Sequence, residues 1–205
     1  MVGDRESLIS HPSSVKRVVL GDDVVNGGFR AFARCTSLSS VYIPRGITTI
    51  SGYMFQNCSS LISVYIPEGV VSIDQYAFGL CTSLKSIYIP EGVVSIGQDA
   101  FRGCPSLKSI YIPESVTSIG GYAFAYCSGL TSINIPESVT SIGDNTFLNC
   151  TSLISVSSFN HTAPSLDYRP FGGNATNGTL HIKPGATGYD KWLKYFNRWR
   201  IVEDL

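Results

Sequence analysis

The chain has 205 residues, of which 43% are hydrophobic, so its composition fits a soluble globular protein of one large or two small domains. Fifteen basic and fifteen acidic residues cancel, which removes the charge excess expected of a nucleic-acid or membrane-surface binder. No apolar run approaches the roughly 20 residues that cross a bilayer. We therefore expect neither nucleic-acid binding nor membrane insertion. The start, MVGDRESLIS, has no signal-peptide pattern, so either the protein stays inside the cell or a leader has been removed.

A 23-residue period dominates the sequence. SLKSIYIPE occurs at Ser83–Glu91 and again at Ser106–Glu114, and near-copies follow at the same interval on both sides. Leucine, phenylalanine and cysteine each keep this period through six copies without an insertion. Such a period indicates a repeat architecture in which each unit buries its apolar face against its neighbours. The cysteines in phase are Cys35, Cys58, Cys81, Cys104, Cys127 and Cys150.

Residues 1–34 are predicted to form a degenerate N-terminal capping repeat. Moving the pattern back by one period places Ile9, Val15, Val18 and Leu20 at apolar positions of the unit. The segment SSVKRVVLGDDVV carries more charge than the later units, as the exposed end of a stack requires.

Residues 35–157 are predicted to form the stack of repeats. In LKSIYIP, apolar and polar residues alternate, which predicts a short strand with one buried face that ends at the proline. SVTSIG supplies a second apolar pair, and its glycine allows a tight corner. In YAFAYC, Phe124 and Cys127 are three residues apart, as in one helical or 3₁₀ turn. We therefore expect about six stacked coils with short parallel strands and short helical turns.

Residues 158–205 are predicted to form a C-terminal cap, because the period is lost there. TLHI predicts one strand and KPGATG a turn. Trp199 and Ile201 would close the final coil. An aromatic helix is expected to cover the core of the last coil, with a ligand groove as the alternative. Its apolar face would consist of Tyr189, Trp192, Leu193 and Phe196, which follow helical spacing.

The unit L-x-x-[VI]-x-I-P-x-x-V-x-x-I-x-x-x-A-F-x-x-C resembles the 23-residue leucine-rich repeat of the BspA-like, or treponemal-class, proteins over residues 35–157. Members of that family form curved, right-handed solenoids and are usually surface-exposed or secreted bacterial proteins. Several are adhesins that bind host matrix proteins or other cells. The resemblance implies an α/β repeat fold: a right-handed leucine-rich-repeat solenoid with a C-terminal capping segment. It also implies an extracellular or cell-surface location and a protein partner, possibly a host matrix or cell-surface protein.

The six cysteines are predicted to be reduced and buried. Stacked in register, their Cβ vectors run parallel, so the Cβ atoms stay farther apart than the roughly 3.5–4.5 Å of a disulfide. A thiol also fits a tight apolar corner as a small hydrophobic group. Zinc is not expected, because a linear ladder cannot bring four ligands tetrahedrally around one ion.

The sequence predicts neither an enzyme nor a bound cofactor. His11, His161 and His181 lie in the two end segments, far apart in sequence. Ser165, His161 and Asp167 come nearest to a hydrolytic triad, but only by proximity along the chain, and such residues usually shape loops. The glycine-rich segments FGGNATNG and KPGATG lack the residues of a phosphate or dinucleotide loop. A hydrolytic site in the C-terminal cap is the enzyme-class alternative.

One row of outward-facing residues is predicted to be a binding surface. The residue between the two inward apolar positions of each strand must face outward, and it is tyrosine in four successive units. Tyrosine offers a large contact area at a low entropy cost and is common at interfaces. A glutamate beyond the proline of four units would add an acidic margin that favours a basic partner edge. The predicted site comprises Tyr42, Tyr65, Tyr88, Tyr111, Asn134, Glu68, Glu91, Glu114 and Glu137.

The same tyrosine row has two other interpretations. Cross-strand aromatic stacking could serve only to stabilise the sheet, in which case the solenoid would be a structural spacer that displays something else. Aromatic platforms also suit sugar rings, so carbohydrate binding is the third interpretation. For the binding hypothesis, we expect the strand face to be concave, because strands should pack more closely than the bulkier turns opposite them.

Overall fold

The structure is a computed structural model that describes residues 12–175, 177–196 and 198–205. These residues wind into a parallel β-solenoid of about eight turns, which confirms the predicted leucine-rich-repeat solenoid. In chain order the strands are β1 (Arg17–Val19), β2 (Ser40–Tyr42), β3 (Thr49–Ile50), β4 (Ser63–Tyr65), β5 (Ser72–Ile73), β6 (Ser86–Tyr88), β7 (Ser95–Ile96), β8 (Ser118–Ile119), β9 (Ser132–Ile135), β10 (Ser141–Ile142), β11 (Ser155–Ser158), β12 (Ser165–Leu166), β13 (Thr179–Ile182) and β14 (Arg200–Glu203).

The strands lie in two parallel rows along the solenoid. The front row consists of the pair β1–β2, the pair β4–β6 and the four-stranded sheet β9–β11–β13–β14. The coil between β6 and β9 has no strand at 109–111, so the front row is divided there. The two-residue strands form one continuous side sheet in the order β3–β5–β7–β8–β10–β12. Pairing keeps the sequence period, as in Ser72↔Ser95 and Ser95↔Ser118, so equivalent residues of successive coils lie side by side.

The turn that follows each side-sheet strand is not the helical turn that the Phe–Cys spacing predicts. The backbone N–H groups of Tyr53, Phe55 and Asn57 donate to carbonyls of the next coil at 2.8, 2.9 and 2.7 Å. Tyr53 and Asn57 both have a φ of 59°, and these left-handed residues interrupt any continuous helix. In the described chain, helix is confined to a 3₁₀ turn at Pro12–Ser14 and to helix α1 at Asp190–Leu193.

These hydrogen-bonded turns also bear on the shape of the solenoid. The turns stack from coil to coil through the same kind of backbone bond that joins the strands, with N···O distances of 2.7–2.9 Å in the example above. The expectation that bulkier turns bend the stack toward the strands therefore loses its physical reason. The concavity of the strand face stays a prediction.

The interior consists of ladders of identical residues. Phenylalanine rings from Phe32 to Phe171 stack along the solenoid with successive centroids 5.2–5.7 Å apart and nearly parallel planes. Leucines and cysteines of each repeat, such as Leu84 and Cys81, are fully buried beside them. Aromatic pairs of this kind contribute about 0.5–1.5 kcal/mol each beyond the area that they bury. The core is therefore one continuous column and not a series of separate cores.

All six cysteines are free and buried, as the stacking argument predicts. The thiol of each cysteine from Cys58 onward donates to the phenylalanine carbonyl of the preceding coil, as from Cys81 Sγ to Phe55 O at 3.2 Å. Burial raises the pKa of the Cys81 thiol to about 12. The cysteines are thus hydrogen-bonded packing residues with little thiolate character.

Both end segments continue the stack. At the N-terminal end, β1 pairs with β2 in the repeat register, Val18↔Val41, as the shifted pattern predicts. At the C-terminal end, β13 and β14 add two further strands to the front row, which explains the larger number of turns than the expected six or so. Ile9 and His11 lie outside the described residues. The division into 1–34, 35–157 and 158–205 stays a prediction.

The aromatic residues of the C-terminal segment cover the end of the phenylalanine ladder. Tyr189, Trp192 and Phe196 are buried, and the ring centroid of Phe196 lies 4.4 Å from that of Phe171. The prediction that Leu193 belongs to the same buried face is wrong, because its side chain is 40% exposed. Helix α1 has only four residues and ends at Leu193, so helical spacing does not extend through Phe196.

Native protein at about pH 8 is expected to react with far less than one equivalent of the thiol reagent DTNB, because burial raises the thiol pKa and blocks access. Unfolding in guanidinium chloride, without a reductant, should release all six thiols. The absorbance of the released thionitrobenzoate measures both values. Rapid reaction of the folded protein, or fewer than six thiols after unfolding, would contradict the assignment.

Candidate functional site

The four predicted tyrosines lie side by side on the outward surface of the front row. Tyr42, Tyr65, Tyr88 and Tyr111 are 49%, 60%, 44% and 52% exposed. Tyr65 and Tyr88 are direct partners in the β4–β6 pair, and their nearly parallel rings have centroids 6.4 Å apart. Asn134 is also exposed and continues the row on β9. We call this outward surface of the front row the tyrosine face.

The tyrosine face is longer than the predicted site. Val19 pairs with Tyr42 in register and is 59% exposed, so the row begins one coil earlier. Beyond Asn134 it continues through Ser157 and His181, which are paired in register on β11 and β13. Val19 could have been found from sequence, because it stands 23 residues before Tyr42. The later members are not tyrosines and gave no comparable signal.

Acidic side chains hold the hydroxyl groups of this row. The Tyr111 hydroxyl donates to Glu91 Oε1 at 2.8 Å, and the Tyr42 hydroxyl donates to Asp22 Oδ1 at 3.2 Å. In both pairs the carboxylate stands 20 residues before the tyrosine, on the preceding coil. The hydrogen bond to Glu91 raises the pKa of Tyr111, and the negative charge of Asp22 raises that of Tyr42.

The predicted acidic margin is therefore partly committed to the tyrosines. Glu68, Glu91 and Glu114 are exposed, and Glu68 contributes, after burial, to the raised pKa of Tyr88. Glu137 departs from the series, because its Oε2 accepts a bond from Lys183 Nζ at 2.8 Å. This ion pair lowers the pKa of Glu137. The margin thus ends in a neutralised pair at the C-terminal end.

A basic margin, which the sequence reasoning missed, borders the opposite edge of the face. Lys85 and Lys108 are exposed and in phase, each directly before an exposed serine of the strand segment. The face therefore runs from lysine through serine and tyrosine to glutamate within one coil. The period alone could have revealed this edge, since Lys85 and Lys108 are 23 residues apart.

The turns on another side of the solenoid carry a charged cluster that no pattern indicated. Asp99 is only 2% exposed, and its Oδ1 accepts a bond from Arg102 Nη1 at 3.1 Å. The same Nη1 donates to the Tyr76 hydroxyl at 3.2 Å, while the guanidinium carbon lies 5.4 Å from the Tyr122 ring centroid. Arg102 thereby joins three successive coils. These contacts describe a clamp between repeats.

The residues of the hydrolytic alternative do not converge. Ser165 Oγ donates to the Thr140 carbonyl at 3.2 Å, and His161 and Asp167 are both exposed. In the described residues, none of these three side chains hydrogen-bonds another, and no group of His, Cys, Asp or Glu could hold a metal ion. His181 instead contacts Asp204, with Nδ1 2.9 Å from Oδ1. No helix in the described ranges is long and apolar enough to cross a bilayer.

Comparison with known proteins identifies the repeat. A family model for the BspA type leucine rich repeat region matches residues 8–129 and 72–183, with six copies. No curated protein sequence matches the chain. Among solved structures, a leucine-rich repeat protein of T. pallidum, TpLRR, is 25% identical over 92% of this chain and 87% of its own, with a TM-score of 0.69.

Two further solved structures show the same fold in longer chains. A leucine rich cell surface protein of Faecalibacterium prausnitzii is 22% identical, with a TM-score of 0.55, and the match covers 95% of this chain and 65% of that one. The pneumococcal vaccine antigen PcpA is 16% identical, with a TM-score of 0.63, and the match covers 93% of this chain and 56% of that one. The present chain thus spans less than two thirds of both proteins.

Glu91→Gln is expected to lower the pKa of Tyr111, because the hydrogen bond to the Glu91 carboxylate raises that pKa in the parent protein. The phenol ring resonances of Tyr111, followed by NMR from neutral to alkaline pH, measure the change. Glu137→Gln is the matched control, since Glu137 pairs with Lys183 instead. An unchanged Tyr111 titration in Glu91→Gln would show that the hydroxyl–carboxylate bond does not persist in solution.

Proposed function

Because the chain belongs to the BspA-type leucine-rich repeat family, we propose that it is a protein-binding module that recognises its partner with the tyrosine face. The proposal includes an adhesin-like role at the bacterial cell surface or outside the cell. One solved protein of similar fold is described as a cell surface protein and another as a vaccine antigen, which supports that location. A host matrix or cell-surface protein is the proposed partner.

The observation that carries the proposal is the row of four half-exposed tyrosines on adjacent coils. Each tyrosine has only two rotatable side-chain bonds, so it loses little entropy when a partner covers it. The carboxylate bonds to Tyr42 and Tyr111 restrict these side chains further before binding. A partner would therefore meet a large contact area that is already ordered, which favours affinity.

The two margins define the chemistry of the partner. Glu68, Glu91 and Glu114 favour a basic edge on one side of the contact, and Lys85 and Lys108 favour an acidic edge on the other. Such a pattern fixes the orientation of the partner across the coils. It also penalises a partner docked in the reverse orientation, because like charges would then face each other.

Replacing Tyr65, Tyr88 and Tyr111 together by alanine is expected to abolish capture of the partner from a panel of extracellular matrix and cell-surface proteins. Each single substitution should weaken binding by about 1–3 kcal/mol, as is usual for aromatic hot spots, with little change in the thermal unfolding midpoint. Surface plasmon resonance and thermal denaturation measure the two effects. The matched control is Tyr126→Ala with Tyr168→Ala, which removes two exposed tyrosines outside the face.

The alternatives give different results in the same experiment. If Tyr88→Ala lowers the unfolding midpoint and leaves binding unchanged, the row is a structural ladder and the site assignment is wrong. If the parent protein captures nothing from the panel, it acts as a spacer. Binding of the parent protein to a glycan array, lost in the triple variant, would instead favour carbohydrate recognition.

A further inference from the structure

A cleft in the C-terminal segment stands apart from the tyrosine face. It has a volume of about 380 Å³ and lies between residues 162–166 and residues 188–195. Pockets that take small molecules measure about 300–1,000 Å³, so this cleft is large enough for a compact ligand. The sequence suggested a ligand groove here only as the alternative to an aromatic cover for the core. The structure contains both, because the cleft lies beside the aromatic residues.

The walls of the cleft are fixed without a ligand. The Trp192 indole N–H donates to the Pro164 carbonyl at 3.2 Å, and the Ala163 N–H donates to the Thr187 carbonyl at 2.9 Å. Strand β12, which contains Leu166, is itself paired with β10 of the side sheet. The two walls are thus joined to each other and to the stack, and a ligand would enter a cleft that is already formed.

The lining combines an apolar floor with a cationic rim. Pro164 and Trp192 are buried beneath the cleft, and Leu166 is half-buried beside them. Lys191 and Lys194 line the rim and are exposed. They are three residues apart in a helical segment and so project from the same side.

The positive charge of this rim is not neutralised by the protein. Ion pairs in the part of the chain that the structure describes join Arg102 to Asp99, His181 to Asp204 and Lys183 to Glu137, and involve neither Lys191 nor Lys194. None of the residues that line the cleft carries a carboxylate. The Lys194 ammonium lies 4.7 Å from the Tyr195 ring centroid, a cation–π contact that leaves its N–H donors available.

We propose that this cleft binds a small organic monocarboxylate, with the carboxylate held between Lys191 and Lys194 and an apolar body on the floor formed by Pro164, Leu166 and Trp192. A strongly polar ligand would leave the apolar floor unmatched, and a neutral apolar ligand would leave both ammonium groups without a partner. The same chemistry occurs in free aryl or alkyl acids and at the C-terminus of a peptide that ends in an apolar residue. The site is independent of the tyrosine face, and either proposal can fail without the other.

The test uses the full chain and two pairs of probes that differ only in charge. The first pair is 3-phenylpropionate and 3-phenylpropionamide, and the second is N-acetyl-L-phenylalanine and its amide. Binding is followed in ¹H–¹⁵N NMR spectra through the Trp192 indole N–H and the backbone amides of residues 162–166. The acids should bind at least about tenfold more tightly than their amides, and added salt should weaken only the acids. The tighter of the two acids identifies a free acid or a chain terminus as the source.

The variant pair Lys191→Gln with Lys194→Gln should remove the preference for the acids. The matched control, Lys85→Gln with Lys108→Gln, makes the same change of charge on the tyrosine face and should leave acid binding unchanged. All four lysines are exposed, so both double variants should retain the parent fold, which circular dichroism checks. Equal affinity for acid and amide, unchanged binding in the Lys191 and Lys194 variant, or no spectral change at millimolar acid would each overturn the proposal.

Discussion

Backbone hydrogen bonds between neighbouring coils impose the constraint on which every other feature depends. Each coil presents N–H and C=O groups along the solenoid, both in the strands and in the turns, and only an in-register neighbour satisfies them. Register then decides which side chains stack, so a slip of one residue would carry the phenylalanine, leucine and cysteine ladders out of the core. The identical residues of successive repeats follow from this constraint, since each position faces its own copy above and below.

The one change of spacing near the C-terminal end shows how the constraint is kept. Ser132 and Ser141 are 9 residues apart (141 − 132), whereas their partners Ser155 and Ser165 are 10 apart (165 − 155), so the later coil contains an extra residue. Asn160 lies in this insertion and is buried. Its Nδ2 donates to the carbonyls of Glu137 and Val139 at 2.7 and 3.0 Å. A side-chain amide thus bonds carbonyls that the displaced backbone would leave unpaired.

The sequence period predicts the strands, the buried ladders and the free cysteines, but it does not predict the turns or the pairing of the tyrosine hydroxyls. Phe124 and Cys127 are spaced as in a helical turn, and a stacked turn with left-handed residues gives the same spacing. Those left-handed positions include Tyr53 and Leu80, with φ of 59° and 62°, where glycine or asparagine would have signalled the turn. The bond between Tyr111 and Glu91 links positions 20 residues apart, which depends on how far each side chain reaches across coils.

This pairing connects the proposed binding surface to the fold. A carboxylate on one coil holds the tyrosine of the next, so the order of the surface depends on the register that builds the core. Tyr65 is the exception, because Arg45 stands 20 residues before it, where other coils carry an acid. Tyr65 is also the most exposed of the four tyrosines, at 60%. With no carboxylate on the preceding coil to engage its hydroxyl, Tyr65 can offer a partner both its ring and its hydroxyl, whereas Tyr42 and Tyr111 offer mainly their rings.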